Sequence, residues 1–97
     1  MVDNSTRVIW KYPLDVVDSQ FVCAPRGAKF ISVLNQRDRL VLYALVHPGP
    51  PFVDYKVQIR GTGHPIDYDI QQNYQFVGTV QDAGVYVWHV FVARKEV

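Results

Sequence analysis

The chain has a single cysteine, Cys23, among its 97 residues. One thiol can form neither an intramolecular disulfide nor a cysteine-based zinc site, and this fits a protein kept in a reducing cytosol. No apolar run approaches the length of a secretory signal core or a membrane-spanning helix, and residues 1–6 are polar. We therefore expect neither secretion nor a membrane partner.

A strong excess of charge of either sign is also missing. Ten Lys and Arg residues stand against nine Asp and Glu residues, which gives a net charge of +1. Proteins that coat nucleic acids neutralise several phosphates with clustered basic side chains. The balance argues against general nucleic-acid binding, although it allows local basic pockets.

The sequence also lacks helical periodicity. No long window has apolar residues that recur every three or four positions. Short runs of β-branched and aromatic residues alternate instead with turn residues. The runs predict about seven strands, at 6–12, 20–24, 28–34, 39–47, 55–60, 76–81 and 85–93. We expect an all-β fold, a single small antiparallel β-sandwich or partly open barrel. One domain would span 1–97, with an ordered core at 6–93, a polar N-terminus and a charged C-terminal tail.

Two of these segments have distinctive patterns. Residues 40–46 are apolar on both alternating faces, which predicts a central strand covered on both sides. Residues 55–60 alternate strictly between apolar and polar, so one face should pack and the other should meet solvent or a ligand. The irregular segment 61–75 follows directly. A loop this long in a small domain is usually functional or contains a short helical turn.

The best candidate for ligand contact is Arg60, Gly61, Thr62, Gly63 and His64. Glycines at this spacing let the backbone approach a ligand, successive amides can bind an anion, and the other side chains can donate to phosphate. The segment lacks the further glycines and following helix of a dinucleotide fold, and the Gly-Lys-Ser/Thr of a phosphate loop. The alternative is that both glycines only permit a turn after a strand.

The two tryptophans supply a second candidate feature. Trp10 and Trp88 could stack a nucleobase, with Lys11 and His89 beside them. The alternative is that both tryptophans belong to the core of so small a domain. Because neighbouring residues in a strand point to opposite faces, all four cannot line one pocket without help from a subunit boundary.

Metal and catalytic sites have little support in the sequence. His64, Asp67 and Asp69 could hold a divalent ion, but the spacing is unspecific and a solvated acidic loop is the simpler interpretation. Cys23 lies in a predicted apolar strand, and no Ser or Cys occupies a recognisable nucleophile elbow. We expect no catalytic residues, no metal and no cofactor.

Exposed strand edges are expected in a domain of about seven strands, and such edges invite pairing with another chain. The last predicted strand, 85–93, is also strongly apolar. Both features predict a homo-oligomer. A two-fold axis could place the 60–64 loops of two subunits around one shared pocket.

Five blocks, in order over nearly the whole chain, carry a resemblance to a known family. They are IWKYPL at 9–14, PRGAK at 25–29, GTGHPI at 61–66, GTV at 78–80 and VWHVF at 87–91. Together they resemble a family of small, uncharacterised bacteriophage proteins. The resemblance implies a phage-encoded protein in the host bacterial cytoplasm and carries over no catalytic residues. By analogy with other small accessory phage proteins, it favours a counter-defence role.

These features lead to one functional prediction and two alternatives. The prediction is a non-catalytic, oligomeric sponge that sequesters a small phosphorylated nucleotide signal. Residues 60–64 and Lys11 would hold phosphate, and Trp10 or Trp88 would stack the base. The first alternative is an inhibitor that blocks a host defence enzyme by strand addition or surface mimicry. The second is a hydrolase of nucleotide signals.

Overall fold

Two antiparallel sheets pack face to face in the computed structural model, which describes residues 6–97. The elements are β1 (Val8–Leu14), β2 (Ser19–Pro25), β3 (Lys29–Gln36), β4 (Arg39–Val46), β5 (Phe52–Gly61), α1 (Tyr68–Asn73), β6 (Tyr74–Gln81) and β7 (Val87–Ala93). The first sheet has the order β1-β4-β3 and the second β2-β5-β7-β6. The predicted all-β sandwich is confirmed, and within residues 6–97 the sheets do not join into a closed barrel.

The predicted hairpin around residues 35–38 is present with a tighter turn. β3 and β4 pair up to Gln36 and Arg39, so only Arg37 and Asp38 connect them. Both connecting residues have positive φ, at 52° and 63°. Two-residue turns with this backbone match the twist of the flanking strands, which explains why β3 extends two residues further toward the turn than predicted.

β1 contains Pro13, although the predicted strand ended before this residue. β1 is an edge strand that pairs with β4 alone. A proline lacks the backbone donor, and an edge strand tolerates that loss because one side of its backbone needs no partner. β1 therefore continues to Leu14, which is buried.

β4 is the central strand of its sheet, as predicted. Leu42 and Ala44 point into the core and are fully buried. On the opposite face, Val41 is 5% exposed, whereas Tyr43 and Leu45 are only half-buried, and none of the three belongs to the core cluster. The predicted cover on both sides is therefore found at Val41 and is incomplete along the rest of the strand. We call this opposite surface the uncovered face.

The core lies between the inner faces of the two sheets and is almost entirely aliphatic. Burying one such side chain contributes about 1.5 to 3 kcal/mol. The clustered residues with the least exposure come from both sheets: Leu14, Ala24, Leu40, Leu42, Ala44, Val46, Val57, Ile59, Val90 and Val92.

A short helix, α1, lies within the irregular segment 61–75, for which a short helical turn is one of the two predicted alternatives. The Asp67 carboxylate caps it by accepting the Ile70 backbone N–H at 3.0 Å, and Ile70 is 2% exposed. Six residues are too few to show helical periodicity, so only the cap could have indicated it. No helix among residues 6–97 has the length and apolar character needed to cross a membrane.

Candidate functional site

β5 ends in a tight turn formed by residues 61–64. The His64 N–H donates to the Gly61 carbonyl at 3.1 Å, and Gly63 has a φ of 88°. A positive φ at the third position is characteristic of a type II turn, which explains a glycine there. Thr62, Gly63 and His64 are all exposed, so the rigid strand delivers this turn to the surface.

The amides of this turn do not form the predicted cradle of successive donors. The Thr62 N–H donates to the Val87 carbonyl at 3.3 Å, and the His64 N–H is used by Gly61. The Gly63 N–H has no acceptor within residues 6–97. A single free amide therefore remains for an anion at the tip of the turn.

Gly61 is needed for close packing and not for an unusual φ. A Cβ at this position would lie 3.1 Å from the His64 ring and 3.4 Å from the Trp88 ring. Both rings therefore approach the backbone of Gly61 closely. The sequence predicts glycine here for ligand approach or a positive φ, whereas in the structure it lets the His64 and Trp88 rings pack against the backbone.

Trp88 stacks on Tyr86, and one carboxylate positions both residues. The two ring centroids are 5.9 Å apart with an interplanar angle of 30°. Asp82 Oδ2 accepts the Trp88 indole N–H at 3.0 Å, and its Oδ1 accepts the Tyr86 backbone N–H at 3.3 Å. The Trp88 ring packs against the core on one side, while Tyr86 is 61% exposed.

These side chains surround an open pocket of about 430 Å³, which we call the aromatic pocket. Its lining contains no Asp, Glu, Lys or Arg side chain. The lining residues are Gly61, Thr62, His64, Val85, Tyr86, Val87 and Trp88. The structure thus brings four of the predicted site residues to one surface.

His89 connects the turn to β6 on the face of the sheet opposite Trp88. Its Nε2 lies 2.7 Å from Thr62 Oγ1, and its Nδ1 lies 2.9 Å from Thr79 Oγ1. In the neutral ring one nitrogen donates and the other accepts, so both hydroxyls are satisfied together. The bridge depends on strand pairing, since Thr79 and Arg60 both face His89. Sequence analysis alone missed it.

Arg60 lies on that same outer face. Its Nη1 donates to the Asp18 carbonyl at 2.8 Å and to its neighbour Ile59 at 3.0 Å. Its Nη2 and Nε have no acceptor within residues 6–97. The guanidinium is therefore held in place by the β1–β2 connection while two of its nitrogens stay available to a ligand.

A comparison with known sequence families identifies the chain. A domain of unknown function, DUF7352, matches residues 5–97. The chain belongs to the DUF7352 family. Searches of curated proteins and of solved structures returned no match. The aromatic pocket lies wholly inside the DUF7352 domain.

Trp10 and Lys11 lie elsewhere in the DUF7352 domain. Trp10 pairs with Ala44 in the three-stranded sheet, and Ala44 pairs with Phe30. The Phe30 ring contacts Tyr55 at a centroid distance of 5.1 Å. Tyr55 precedes Gly61 by six residues along β5, a separation of about 20 Å at strand spacing.

Lys11 points away from the core on the uncovered face, because it alternates with Trp10 in β1. One protomer therefore does not unite Trp10 or Lys11 with the aromatic pocket.

The acidic residues near His64 have structural roles in the DUF7352 domain. Asp67 caps α1, and Asp69 Oδ1 accepts the Asn73 side-chain amide at 2.6 Å. No three His, Cys, Asp or Glu side chains among residues 6–97 come together in a group that could hold a metal ion. The arrangement is instead suited to a flat ligand, because a stacked base gains about 1 to 3 kcal/mol on an aromatic ring.

Proposed function

We propose that this DUF7352 domain is a non-catalytic binding protein for a small phosphorylated nucleotide. The observation that carries the proposal is the Tyr86–Trp88 stack, which lies beside a turn that presents hydrogen-bond donors. The aromatic pocket would hold the base, and the tip of the turn and the adjoining outer face would hold phosphate.

The base subsite has the size and chemistry that a nucleobase requires. Small-molecule sites commonly enclose about 300 to 1,000 Å³ and are lined mainly by apolar and aromatic groups. The aromatic pocket has about 430 Å³, with the exposed Tyr86 ring on one side and Val85 and Val87 along its wall. Asp82 fixes both aromatic residues, so little ordering is required when a base stacks.

The phosphate subsite combines donors of the turn with donors of the adjoining outer face. They are the free Gly63 amide and the Nη2 and Nε atoms of Arg60. The Thr62 hydroxyl beside them is engaged by His89 Nε2 at 2.7 Å. A guanidinium fork matches phosphate oxygens in two parallel hydrogen bonds. The turn that links the aromatic pocket to the outer face allows one ligand to reach both subsites.

Binding without turnover is favoured by the surroundings of Thr62. His89 is close enough to remove its proton, which is the arrangement of a nucleophile and its base. The other His89 nitrogen contacts the neutral Thr79 hydroxyl, however, and no carboxylate of residues 6–97 bonds to the ring to stabilise a charged imidazolium. A hydrolase is therefore the weaker proposal.

The biological role that we propose is sequestration of a nucleotide signal. The resemblance to bacteriophage proteins favours a counter-defence factor in the host bacterial cytoplasm. Stoichiometric capture needs no catalysis. It needs only a dissociation constant below the working concentration of the signal. A homo-oligomer remains a prediction, and two-fold symmetry would double the number of sites.

Calorimetric titration with a panel of linear and cyclic mononucleotides and dinucleotides tests this function. Replacing Trp88→Leu or Tyr86→Ala should weaken binding by about 1 to 3 kcal/mol, the value of a stacked base. Arg60→Ala should cost about 1.5 to 3 kcal/mol through the lost phosphate contact. Trp10→Leu is the matched control and should bind normally. Equal nucleotide affinities for all four variants would contradict binding at the aromatic pocket.

The uncovered face favours a second candidate function, inhibition of a host protein. Ile9 and Leu34 lie on this face and are 58% and 56% exposed, and exposed apolar side chains that share a face can contribute to a protein-binding surface. A Leu34→Asp variant should then lose a host complex in pull-down experiments and retain nucleotide binding. Nucleotide binding that is abolished by Trp88→Leu, with no host complex, would instead support the leading proposal.

A further inference from the structure

A second concave surface lies at the opposite end of the sandwich. It has a volume of about 540 Å³, and we call it the basic pocket. Three cationic side chains and one carboxylate line it, together with Tyr55 and small residues of the β2–β3 turn: Arg26, Gly27, Ala28, Tyr55, Arg94, Lys95 and Glu96. Tyr55 lines the basic pocket and Gly61 lines the aromatic pocket, so the two pockets lie about 20 Å apart along β5.

Backbone hydrogen bonds hold both walls of the basic pocket. In the β2–β3 turn, the Arg26 N–H donates to the Pro51 carbonyl at 2.9 Å. The Gly27 N–H donates to the Tyr55 hydroxyl at 3.0 Å. In the C-terminal segment, the Arg94 N–H donates to the Asn73 carbonyl at 2.9 Å. The pocket therefore exists before a ligand arrives.

The charges in this pocket are not balanced. Arg26 Nε pairs with Glu96 Oε1 at 2.8 Å, and this pair leaves both Nη atoms of Arg26 unused. The side chains of Arg94 and Lys95 have no acceptor or ion-pair partner within residues 6–97. The lining thus has an excess of two positive charges. Cations that line one pocket repel each other, and a bound anion would relieve the repulsion.

The donors present suit a phosphate group better than a simple monovalent anion. A guanidinium binds two phosphate oxygens with parallel hydrogen bonds, and an ammonium adds a point charge. The Tyr55 hydroxyl accepts the Gly27 amide, so its own hydrogen can be donated to a ligand. The lining therefore offers both charge and directed hydrogen bonds from more than one side.

We infer that the basic pocket is a binding site for a compact anion with at least two negative charges, of the phosphate or diphosphate class. The site is independent of the proposed nucleotide pocket, because the two share no lining residue. Arg94 and Lys95 supply the charge that attracts the anion, and Arg26 supplies a fork that Glu96 partly occupies. Glu96 competes with the anion for that fork.

Titration of the ¹⁵N-labelled full chain with inorganic pyrophosphate at low salt tests this inference. We expect saturable amide shifts at Gly27, Arg94 and Lys95, whether or not the Gly63 amide also moves. Replacing both cations, Arg94→Ala with Lys95→Ala, should weaken binding about tenfold or more, since two charge-assisted contacts are lost. Glu96→Gln should tighten binding about threefold or more, because it removes a competing carboxylate.

The matched control is Arg37→Ala, which removes an exposed cation from the β3–β4 turn and should leave the affinity unchanged. Shifts spread over many Lys and Arg residues, with equal affinities for the double variant and the control, would overturn the inference. So would unchanged affinity in Glu96→Gln. Selective binding of a short single-stranded DNA, with no pyrophosphate binding, would also overturn it by indicating a nucleic-acid contact. Trp88→Leu should have no effect, which separates this result from the nucleotide proposal.

Discussion

The two ends of the sandwich differ in how their pockets are built. At one end, the aromatic pocket is positioned by side chains, chiefly the Asp82 carboxylate between Tyr86 and Trp88. At the other end, backbone N–H groups hold the walls of the basic pocket, with the buried Tyr55 hydroxyl as one acceptor, and the three cationic side chains are exposed. The first pocket should therefore be sensitive to single side-chain changes, and the second should be sensitive mainly to ionic strength.

Both ends rest on one shared core. β5 runs from the basic pocket at Tyr55 to the aromatic pocket at Gly61, and its inner residues Val57 and Ile59 are almost completely buried. Loops on a rigid β scaffold can diverge chemically without changing the core below them. We therefore expect a substitution in the core to affect both pockets, and a substitution at one end to affect only the pocket at that end.

The largest effect is expected from Leu42→Ala. Leu42 is fully buried in the central strand of the three-stranded sheet, and the substitution leaves a cavity between the sheets. The free energy of unfolding should fall by about 2 to 5 kcal/mol. Urea unfolding, followed by tryptophan fluorescence and by amide signals from both ends, should show one coincident transition. Separate transitions at the two ends would contradict a shared core.

A smaller and local effect is expected from Asp82→Ala. The substitution leaves the Trp88 indole N–H and the Tyr86 amide without their acceptor, which should cost about 1 to 2 kcal/mol of stability. Nucleotide affinity should fall because the stacked rings are no longer fixed, while pyrophosphate affinity stays the same. Asp67→Ala, which removes the cap of α1, is the matched control for loss of an acidic side chain. Equal nucleotide affinities in the two variants would contradict a positioning role for Asp82.

The sequence predicted the positions of the strands better than it predicted which strands pair with each other. The hairpin of β3 and β4 and the apolar face of β5 are local signals and were predicted. Gln58, in contrast, lies on the face of β5 predicted to meet solvent or a ligand, but it is 8% exposed and donates to the Tyr74 hydroxyl at 3.2 Å. The order β2-β5-β7-β6 is not local, because it depends on which distant strands bury each other's apolar faces.

The candidate sites show the same difference between features formed by consecutive residues and features formed by residues that are far apart in the sequence. The turn at 61–64 was found because its residues are consecutive. The bridge from Thr62 through His89 to Thr79 depends on the registers of three strands. The basic pocket joins Arg26 to Glu96, which are 70 residues apart in sequence, and no local pattern connects them.

The smallest effect is expected from Tyr12→Phe, below the basic end. Tyr12 contacts Phe30, and its hydroxyl is buried without a partner within residues 6–97. Removing the hydroxyl should stabilise the fold by about 1 kcal/mol, because an unpaired polar group is no longer buried. Urea unfolding at neutral pH measures this gain. A lower midpoint in the variant would mean that the hydroxyl has a partner in solution.

The same variant has a predicted pH dependence. Burial raises the pKa of the Tyr12 phenol above its usual 10.0, and the neighbouring Cys23 and Tyr55 raise it further. Above about pH 10, the unfolded chain releases this proton before the folded protein does, so the native state loses stability as pH rises. Tyr12→Phe should lose less stability between neutral pH and pH 11. Parallel pH profiles for both proteins would contradict the assignment.

The central claim concerns the stacking surface at Trp88, and the two indole N–H signals of the protein test it directly. Trp10 and Trp88 are the only tryptophans in the chain, so each gives one resolved indole signal. During titration with the tightest nucleotide from the calorimetric panel, the Trp88 signal should move and saturate while the Trp10 signal stays in place. A stationary Trp88 signal, or a saturating shift at Trp10 alone, would contradict the account.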